Sequence, residues 1–256
     1  MRVTTFSELH HYMATFAEQE HITLLIVQSR GGLGKTFQIR RAFDGEKYNL
    51  FMGHATPLSI YKNLYFNRND PTIFDDVDAL LDNKTTVALL KQICDTNREK
   101  KVAYATTAHQ AADVPQEYTT KTRVVIITND LKKVGKNLGA LHTRGVFIDF
   151  DPSNGEVFKT LSSFAQDKEI LSFIGGVYED LEGFNFRVYE KAVQLKKSGL
   201  DWKDYLEREY DTTNYRLIVE EMLTLKPSER LDYWKSKTGM SRRSMFRYQK
   251  KYKGGE

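Results

Sequence analysis

The chain has 256 residues, 40% of them hydrophobic, which suffices for one α/β domain and one or two smaller ones. The single cysteine, Cys94, excludes an internal disulfide and fits a reducing cytoplasm. No apolar run is longer than a strand, and residues 1–20 lack the apolar segment of a signal peptide. We therefore expect a cytoplasmic protein without a membrane span.

The net charge of +4 is unevenly distributed along the chain. Residues 226–256 contain ten Lys or Arg and three Asp or Glu, a net charge of +7, and the remainder carries −3. A near-neutral body with a basic tail indicates that a polyanion partner would bind to the tail alone.

A glycine-rich loop near the amino terminus lies between a predicted strand and a predicted helix. Residues 6–19 first predict an amphipathic helix, and the apolar run 22–27 then predicts a strand. The loop that follows matches the phosphate-binding pattern G-x-x-x-x-G-K-[ST], with Ser29 at the first glycine. Glycines let the backbone N–H groups of such a loop face a phosphate, and the helix amino terminus adds its positive end.

In this loop we expect Lys35 to reach the β- and γ-phosphates of a nucleotide and Thr36 to hold Mg²⁺. The alternative is a chance glycine-rich turn. The residues predicted to bind nucleotide run without a gap from the end of the strand into the helix, and they are Ser29, Arg30, Gly31, Gly32, Leu33, Gly34, Lys35, Thr36 and Phe37.

Two acids follow a later apolar strand. Residues 48–52 predict a strand, and Thr56 before Pro57 predicts the start of a helix. The run from residue 72 then ends in Asp75 and Asp76. Asp75 is a candidate Mg²⁺ ligand and Asp76 a candidate for orienting the attacking water. The alternative is an ordinary strand end with a solvated acidic turn.

The middle of the chain continues the alternation of helices and strands. The pattern predicts a helix over 84–97, a strand over 101–107, a polar loop over 108–120 and a strand over 123–130. Asn129, at the end of that strand, could bond the γ-phosphate or the attacking water. A last strand is predicted over 146–150.

The carboxyl-terminal third is predicted to be helical. Gly175-Gly176 and Gly183 are expected to separate the helices of residues 156–210. In the basic tail, Ser228 is the expected cap of one helix, and a turn over 238–240 leads into a second helix over 242–251.

The second tail helix has the composition of a helix that reads DNA, with cations for phosphates and donors at its start. The alternatives are a solvated basic terminus and a tail that docks a protein. The predicted DNA-binding residues are Ser241, Arg242, Arg243, Ser244, Arg247, Tyr248, Lys250 and Lys251.

The order of these motifs, from Ile22 to about Leu195, resembles that of the AAA+ ATPase family. Asn129 resembles the family's sensor 1. The segment 141–144 is similar to the one that carries the arginine finger, and 186–190 is similar to the sensor 2 region. Ser29 in place of glycine and Asp76 in place of the usual glutamate depart from the pattern.

The resemblance implies ATP and Mg²⁺ as cofactors. It also implies a ring or filament in which an arginine reaches the nucleotide of the next subunit. For Arg144 and Arg187, the alternative is a plain surface arginine or a salt-bridged one. The catalytic residues that it implies are Lys35, Asp76, Asn129, Arg144 and Arg187.

We thus expect an α/β fold of AAA+ type with a parallel sheet over 1–152, a helical lid over 153–212 and a basic helix-turn-helix over 213–256. The expected function is ATP hydrolysis coupled to DNA binding in a homo-oligomer. Replication or mobile-element biology is the expected setting, and a replication or recombination protein is a possible partner. The alternatives are an ATP-switched DNA-binding regulator with negligible turnover and a protein-remodelling ATPase.

Overall fold

The structure is a computed structural model that describes residues 1–53, 55–76, 83–105, 113–129, 141, 143–210 and 215–253. It divides the chain into two compact units, Met1–Glu156 and Val157–Glu256.

The first unit is built on a parallel sheet of six strands in the order β1-β8-β2-β7-β4-β3. The strand that leads into the glycine-rich loop, β2, lies between β7 and β8 and is buried almost along its whole length. The α/β prediction with a parallel sheet is thereby confirmed. The six strands are β1 (Arg2–Val3), β2 (Leu24–Gln28), β3 (Asn49–Met52), β4 (Thr72–Asp75), β7 (Val124–Thr128) and β8 (Val146–Phe150).

Helices cover this sheet and make the first unit a layered structure. On one face Leu24 and Ile26 of β2 pack with residues of the helices α3 (Pro57–Phe66) and α4 (Lys84–Ile93) in a single apolar core. The helices α1 (Phe6–Glu18) and α2 (Lys35–Ala42) also contact each other. There the ring of Phe16 in α1 lies beside that of Phe43, just after α2, with centroids 6.3 Å apart. The helices of this unit are α1 (Phe6–Glu18), α2 (Lys35–Ala42), α3 (Pro57–Phe66) and α4 (Lys84–Ile93).

A separate antiparallel hairpin contains β5 (Lys100–Ala103) and β6 (Glu117–Thr120). The prediction of a loop over 108–120 is therefore wrong for residues 117–120, where Tyr118 and Thr120 alternate inward with exposed neighbours. This four-residue alternation is too short and too polar to stand out in the sequence. Residues 108–112 of the predicted loop, and residues 106–107 of the strand predicted before it, lie outside the described residues.

The second unit is helical throughout its described residues. Gly175 and Gly176 lie inside α6, so the prediction that they separate two helices is wrong, whereas Gly183 does lie between α6 and α7. In the described part of the chain no helix is both long and apolar enough to cross a membrane. The first four helices are α5 (Asn154–Phe164), which begins at the end of the first unit, α6 (Lys168–Val177), α7 (Phe186–Lys197) and α8 (Trp202–Glu209).

Three further helices, α9 (Tyr215–Thr224), α10 (Arg230–Thr238) and α11 (Arg242–Lys253), enclose a small core of their own. Trp234 is fully buried at its centre and packs with Tyr215 and Met245. The helix predicted to start at Ser228 instead begins after Glu229, since residues 227–229 form a turn. Gly239, in the left-handed conformation, ends α10 before α11.

Candidate functional site

The polar residues singled out from the sequence meet at the carboxyl ends of three neighbouring strands. Gln28 of β2 pairs with Thr128 of β7, and Asp75 of β4 pairs with Ile127 of β7. The residues that follow these strand ends therefore share one edge of the sheet. In open parallel sheets this edge is where ligands bind.

The glycine-rich loop is shaped by two glycines with positive φ. Gly32 has φ 76°, and Gly34, at φ 68°, is the amino-terminal cap of α2. A side chain at either position would strain this backbone, so the glycines are required by the path of the loop. Their arrangement brings the start of α2, with its free N–H groups and positive dipole end, to the sheet edge.

Lys35 crosses the loop from the first turn of α2. Its ammonium donates to the Ser29 carbonyl at 2.8 Å, the Ser29 hydroxyl at 3.0 Å, the Arg30 carbonyl at 3.1 Å and Asn129 Oδ1 at 2.9 Å. The residue is 7% exposed. Ser29 thus helps to hold the Lys35 ammonium through its hydroxyl, which a glycine at this position could not do. No sequence pattern predicted this contact.

Thr36 and Asp75 form a second pair beside the loop. The Thr36 hydroxyl donates to Asp75 Oδ2 at 2.6 Å, and Asp75 is 5% exposed. The hydroxyl and the carboxylate, side by side at the glycine-rich loop, are the hard oxygen donors that Mg²⁺ prefers. The donor set therefore fits a magnesium ion that is also held by phosphate oxygens.

Asp76 is linked to Asn129 and has an unusual backbone. Asn129 Nδ2 donates to Asp76 Oδ1 at 3.2 Å, so the amide of Asn129 joins Asp76 to Lys35. With φ 54°, Asp76 is the one non-glycine residue with positive φ in the described ranges. Left-handed backbone at a residue other than glycine clusters at functional sites. The structure thus joins Lys35, Asn129 and Asp76 in one polar network at the sheet edge.

Three of the loop residues predicted to bind nucleotide have other surroundings. Leu33 is fully buried, and the ring of Phe37 is 66% exposed. The Arg30 guanidinium donates to the Pro152 carbonyl at 3.3 Å and lies 3.9 Å from Asp151. The backbone of these residues can still shape the loop, but their side chains have these separate environments.

Arg144 has contacts within its own chain. Its guanidinium donates to the Lys91 carbonyl and lies 3.9 Å from the Asp95 carboxylate, both at the carboxyl end of α4. A cation is favourable at this end of a helix because the last carbonyls are unpaired and the dipole is negative. Arg144 thus has the salt-bridged position that the sequence left open as an alternative.

Arg187 belongs to the second unit. It occupies the first turn of α7, where its backbone N–H donates to the capping side chain of Asn185 at 3.0 Å. Its side chain is exposed.

The basic helix α11 has two different faces. Met245, Tyr248 and Tyr252 turn toward the core around Trp234. The opposite face carries four cations without an ion-pair partner among the described residues, and they are Arg242, Arg243, Arg247 and Lys250.

Three residues predicted to bind DNA have contacts within the chain. The ring of Tyr248 stacks on Tyr215 with centroids 4.4 Å apart. The Ser244 hydroxyl donates to the Ser241 carbonyl and accepts from Trp234 Nε1 at 3.3 Å. Lys251 forms an ion pair with Asp180 at 2.6 Å. The amphipathic pattern of α11 could have identified Tyr248 as a core residue, but Asp180 is too distant in sequence to be foreseen.

Comparison with solved structures finds similar chains, and one of them is described here. Domain III of the Thermotoga maritima replication initiation protein DnaA, known from a crystal structure, matches with a TM-score of 0.48 and 15% identity, over 78% of this chain and 89% of that chain. No protein-family model matches the chain. No curated protein matches it either.

Proposed function

We propose that the first unit binds ATP with Mg²⁺ and hydrolyses it, as an ATPase of AAA+ type. The observation that carries this proposal is the network in which Lys35, Asn129 and Asp76 are joined at the glycine-rich loop. A chance glycine-rich turn would not be expected to share one sheet edge with a buried lysine, a hydroxyl and carboxylate pair suited to Mg²⁺, and an aspartate in a strained backbone conformation.

Each residue of the network has a separate role in this proposal. The loop N–H groups and Lys35 bind the phosphates. When they do, the ammonium of Lys35 exchanges contacts with Ser29, Arg30 and Asn129 for phosphate oxygens. Thr36 and Asp75 hold Mg²⁺, which when bound offsets phosphate charge. Asp76 orients and polarises the attacking water, and the amide of Asn129 fixes the carboxylate of Asp76 through a hydrogen bond.

We further propose that α11 binds DNA and that the protein assembles with nucleotide. The support for DNA binding is the exposed row of Arg242, Arg243, Arg247 and Lys250 on a helix whose other face is anchored in a core. Arg144 would act on a neighbouring subunit's nucleotide only after leaving Lys91 and Asp95. Assembly would therefore have to replace two contacts at the end of α4.

The test measures ATP binding and ATP turnover, each with and without DNA, alongside the molecular mass with ATP. Lys35→Ala should lose binding or turnover because the phosphates lose their main side-chain cation. Lys47→Ala, at an exposed lysine that pairs with Asp70, is the control and should behave as the parent protein.

The results separate the proposal from its rivals. Unchanged affinity and rate in Lys35→Ala would reject the nucleotide site. ATP binding with negligible turnover would favour an ATP-switched regulator. Turnover without any affinity for DNA would favour a remodelling ATPase whose tail docks a protein.

A further inference from the structure

A second cavity lies at the opposite end of the sheet from the candidate nucleotide site. Thr23, Pro71 and Arg123 line it, and each comes just before the amino end of a parallel strand, β2, β4 or β7. Its volume is about 370 Å³, within the range of small-molecule sites. We call it the basal cavity; its lining residues are Glu20, Thr23, Asn69, Pro71, Arg98, Lys100, Lys121 and Arg123.

The charges around the basal cavity do not balance. Four of the lining residues are cations and one, Glu20, is an anion. Arg98 pairs with Glu20, and both side chains are largely exposed. Arg123 is committed to the end of α1, where it donates to the carbonyls of Phe16, Ala17 and Gln19. Two cations, the buried Lys100 and the exposed Lys121, therefore have no ion-pair partner among the described residues.

Lys100 is the unusual member of this pair. It is 3% exposed, and its ammonium has one hydrogen bond in the described residues, to the Thr122 carbonyl, with no carboxylate in ion-pair range. Burial lowers the pKa of Lys100 from its ordinary value, with Asp95 and Cys94 acting in the opposite direction. Taking an ammonium from water without a counter-charge is unfavourable, and an anion in the cavity would remove that cost.

Neutral donors complete the lining. Thr23 is buried and Asn69 is exposed, and neither side chain has a hydrogen-bond partner within the described ranges. Arg123 donates to the last carbonyls of α1 and so offsets the negative end of this helix. The helix end therefore does not oppose an anion in the cavity. Ammonium, hydroxyl and amide groups together match the oxygens of a phosphoryl group.

We propose that the basal cavity binds the phosphate group of a ligand, with Lys100 at its base and Lys121 at its rim. The cavity is larger than a bare phosphate ion requires, so the ligand is a phosphate ester. The phosphate belongs either to a small molecule such as a nucleoside monophosphate or to a nucleic-acid backbone. The site does not depend on ATP binding at the glycine-rich loop.

The experiment titrates inorganic phosphate into the Lys35→Ala protein by calorimetry, so that the glycine-rich loop lacks its main side-chain cation for phosphate. We expect one saturable site. Lys100→Met should weaken its affinity roughly tenfold or more and Lys121→Gln several-fold, as expected for charged hydrogen bonds. Lys101→Gln, on the same strand but paired with Glu117 on the exposed side, is the matched control and should bind as the parent.

Competition identifies the source of the phosphate. Displacement by a nucleoside monophosphate but not by a short oligonucleotide with hydroxyl ends indicates a small ligand, and displacement by the oligonucleotide indicates a nucleic-acid backbone. Absence of saturable phosphate binding, or equal weakening in Lys101→Gln, would overturn the proposal. Should Lys100→Met fail to fold, the exposed variant Lys121→Glu decides, since charge reversal must abolish binding if the site is real.

Discussion

The left-handed backbone of Asp76 predicts that glycine replaces this residue at a lower cost in stability than alanine does, although both replacements lower ATP turnover. At φ 54°, an L-residue costs about 1–2 kcal/mol relative to glycine. Asp76→Ala keeps this cost and Asp76→Gly removes it. Both variants lose the hydrogen bond from Asn129, so that loss cancels when the two are compared.

We expect Asp76→Gly to be more stable than Asp76→Ala by about 1 kcal/mol, after the greater flexibility of glycine in the unfolded chain is allowed for. Asp44, an exposed aspartate without positive φ, provides the control pair. There the glycine variant should be the less stable one, by a few tenths to about 1 kcal/mol.

The assay is urea unfolding followed by circular dichroism, with hydrogen exchange of β2 and β7 to report on the first unit. Fluorescence would be unsuitable because both tryptophans, Trp202 and Trp234, lie in the second unit. ATP turnover should fall by about 10²-fold or more in both Asp76 variants, the usual contribution of a positioned base, while ATP binding remains. If glycine is the less stable replacement at Asp76 as well, the left-handed conformation does not carry the strain that we assign to it.

Three further predictions concern other parts of the chain. Gly145→Ala should destabilise the first unit by about 1–3 kcal/mol in urea unfolding, because an added Cβ would lie 2.5 Å from a carbonyl oxygen of β2, and a wild-type stability would contradict this contact. Burial raises the pKa of Cys94 to about 12, so the thiol should react with iodoacetamide at pH 8 only after unfolding, and rapid labelling of the native protein would refute its burial. The double variant of Arg243→Ala and Arg247→Ala should lower DNA affinity on every sequence and flatten the slope of log affinity against log salt by roughly 2. Lys235→Ala is the control and should leave the slope unchanged. An unchanged slope in the double variant would show that neither arginine contacts phosphate.

Local patterns predicted the elements of the first unit well because the apolar residues recur with the period of the element that they form. Thr56 caps α3 with Pro57 in its first turn, as its sequence indicated. Asp75 and Asn129 lie at the same edge of the sheet because β4 and β7 are parallel neighbours that end together. This juxtaposition could be expected from the positions of the two residues at the ends of their predicted strands. What remained hidden depends on chain segments far apart in sequence.

Three such features could not be read from the sequence. The pairing of β5 with β6 joins two short segments that lie on either side of most of the predicted loop, and nothing in either segment specifies the other as its partner. The position of Arg144 depends on carbonyl and carboxylate groups at the end of α4, about fifty residues earlier. The capping role of Ser228 failed because residues 227–229 turn once before α10 begins, so the helix starts after the residue that could have capped it.

The contact of Asp180 with α11 bears on whether the basic tail can be treated as a portable module. The carboxylate of Asp180, nearly buried, accepts from Lys251 at 2.6 Å and from the Tyr252 hydroxyl, so the loop after α6 holds the far end of α11. At the other end of the helix, Trp234 donates to Ser244. A fusion protein that carries only residues 215–253 would therefore leave Lys251 without its counter-ion and the end of α11 without its anchor. Transplanting this helix to another scaffold requires the segment around Asp180 to be moved with it.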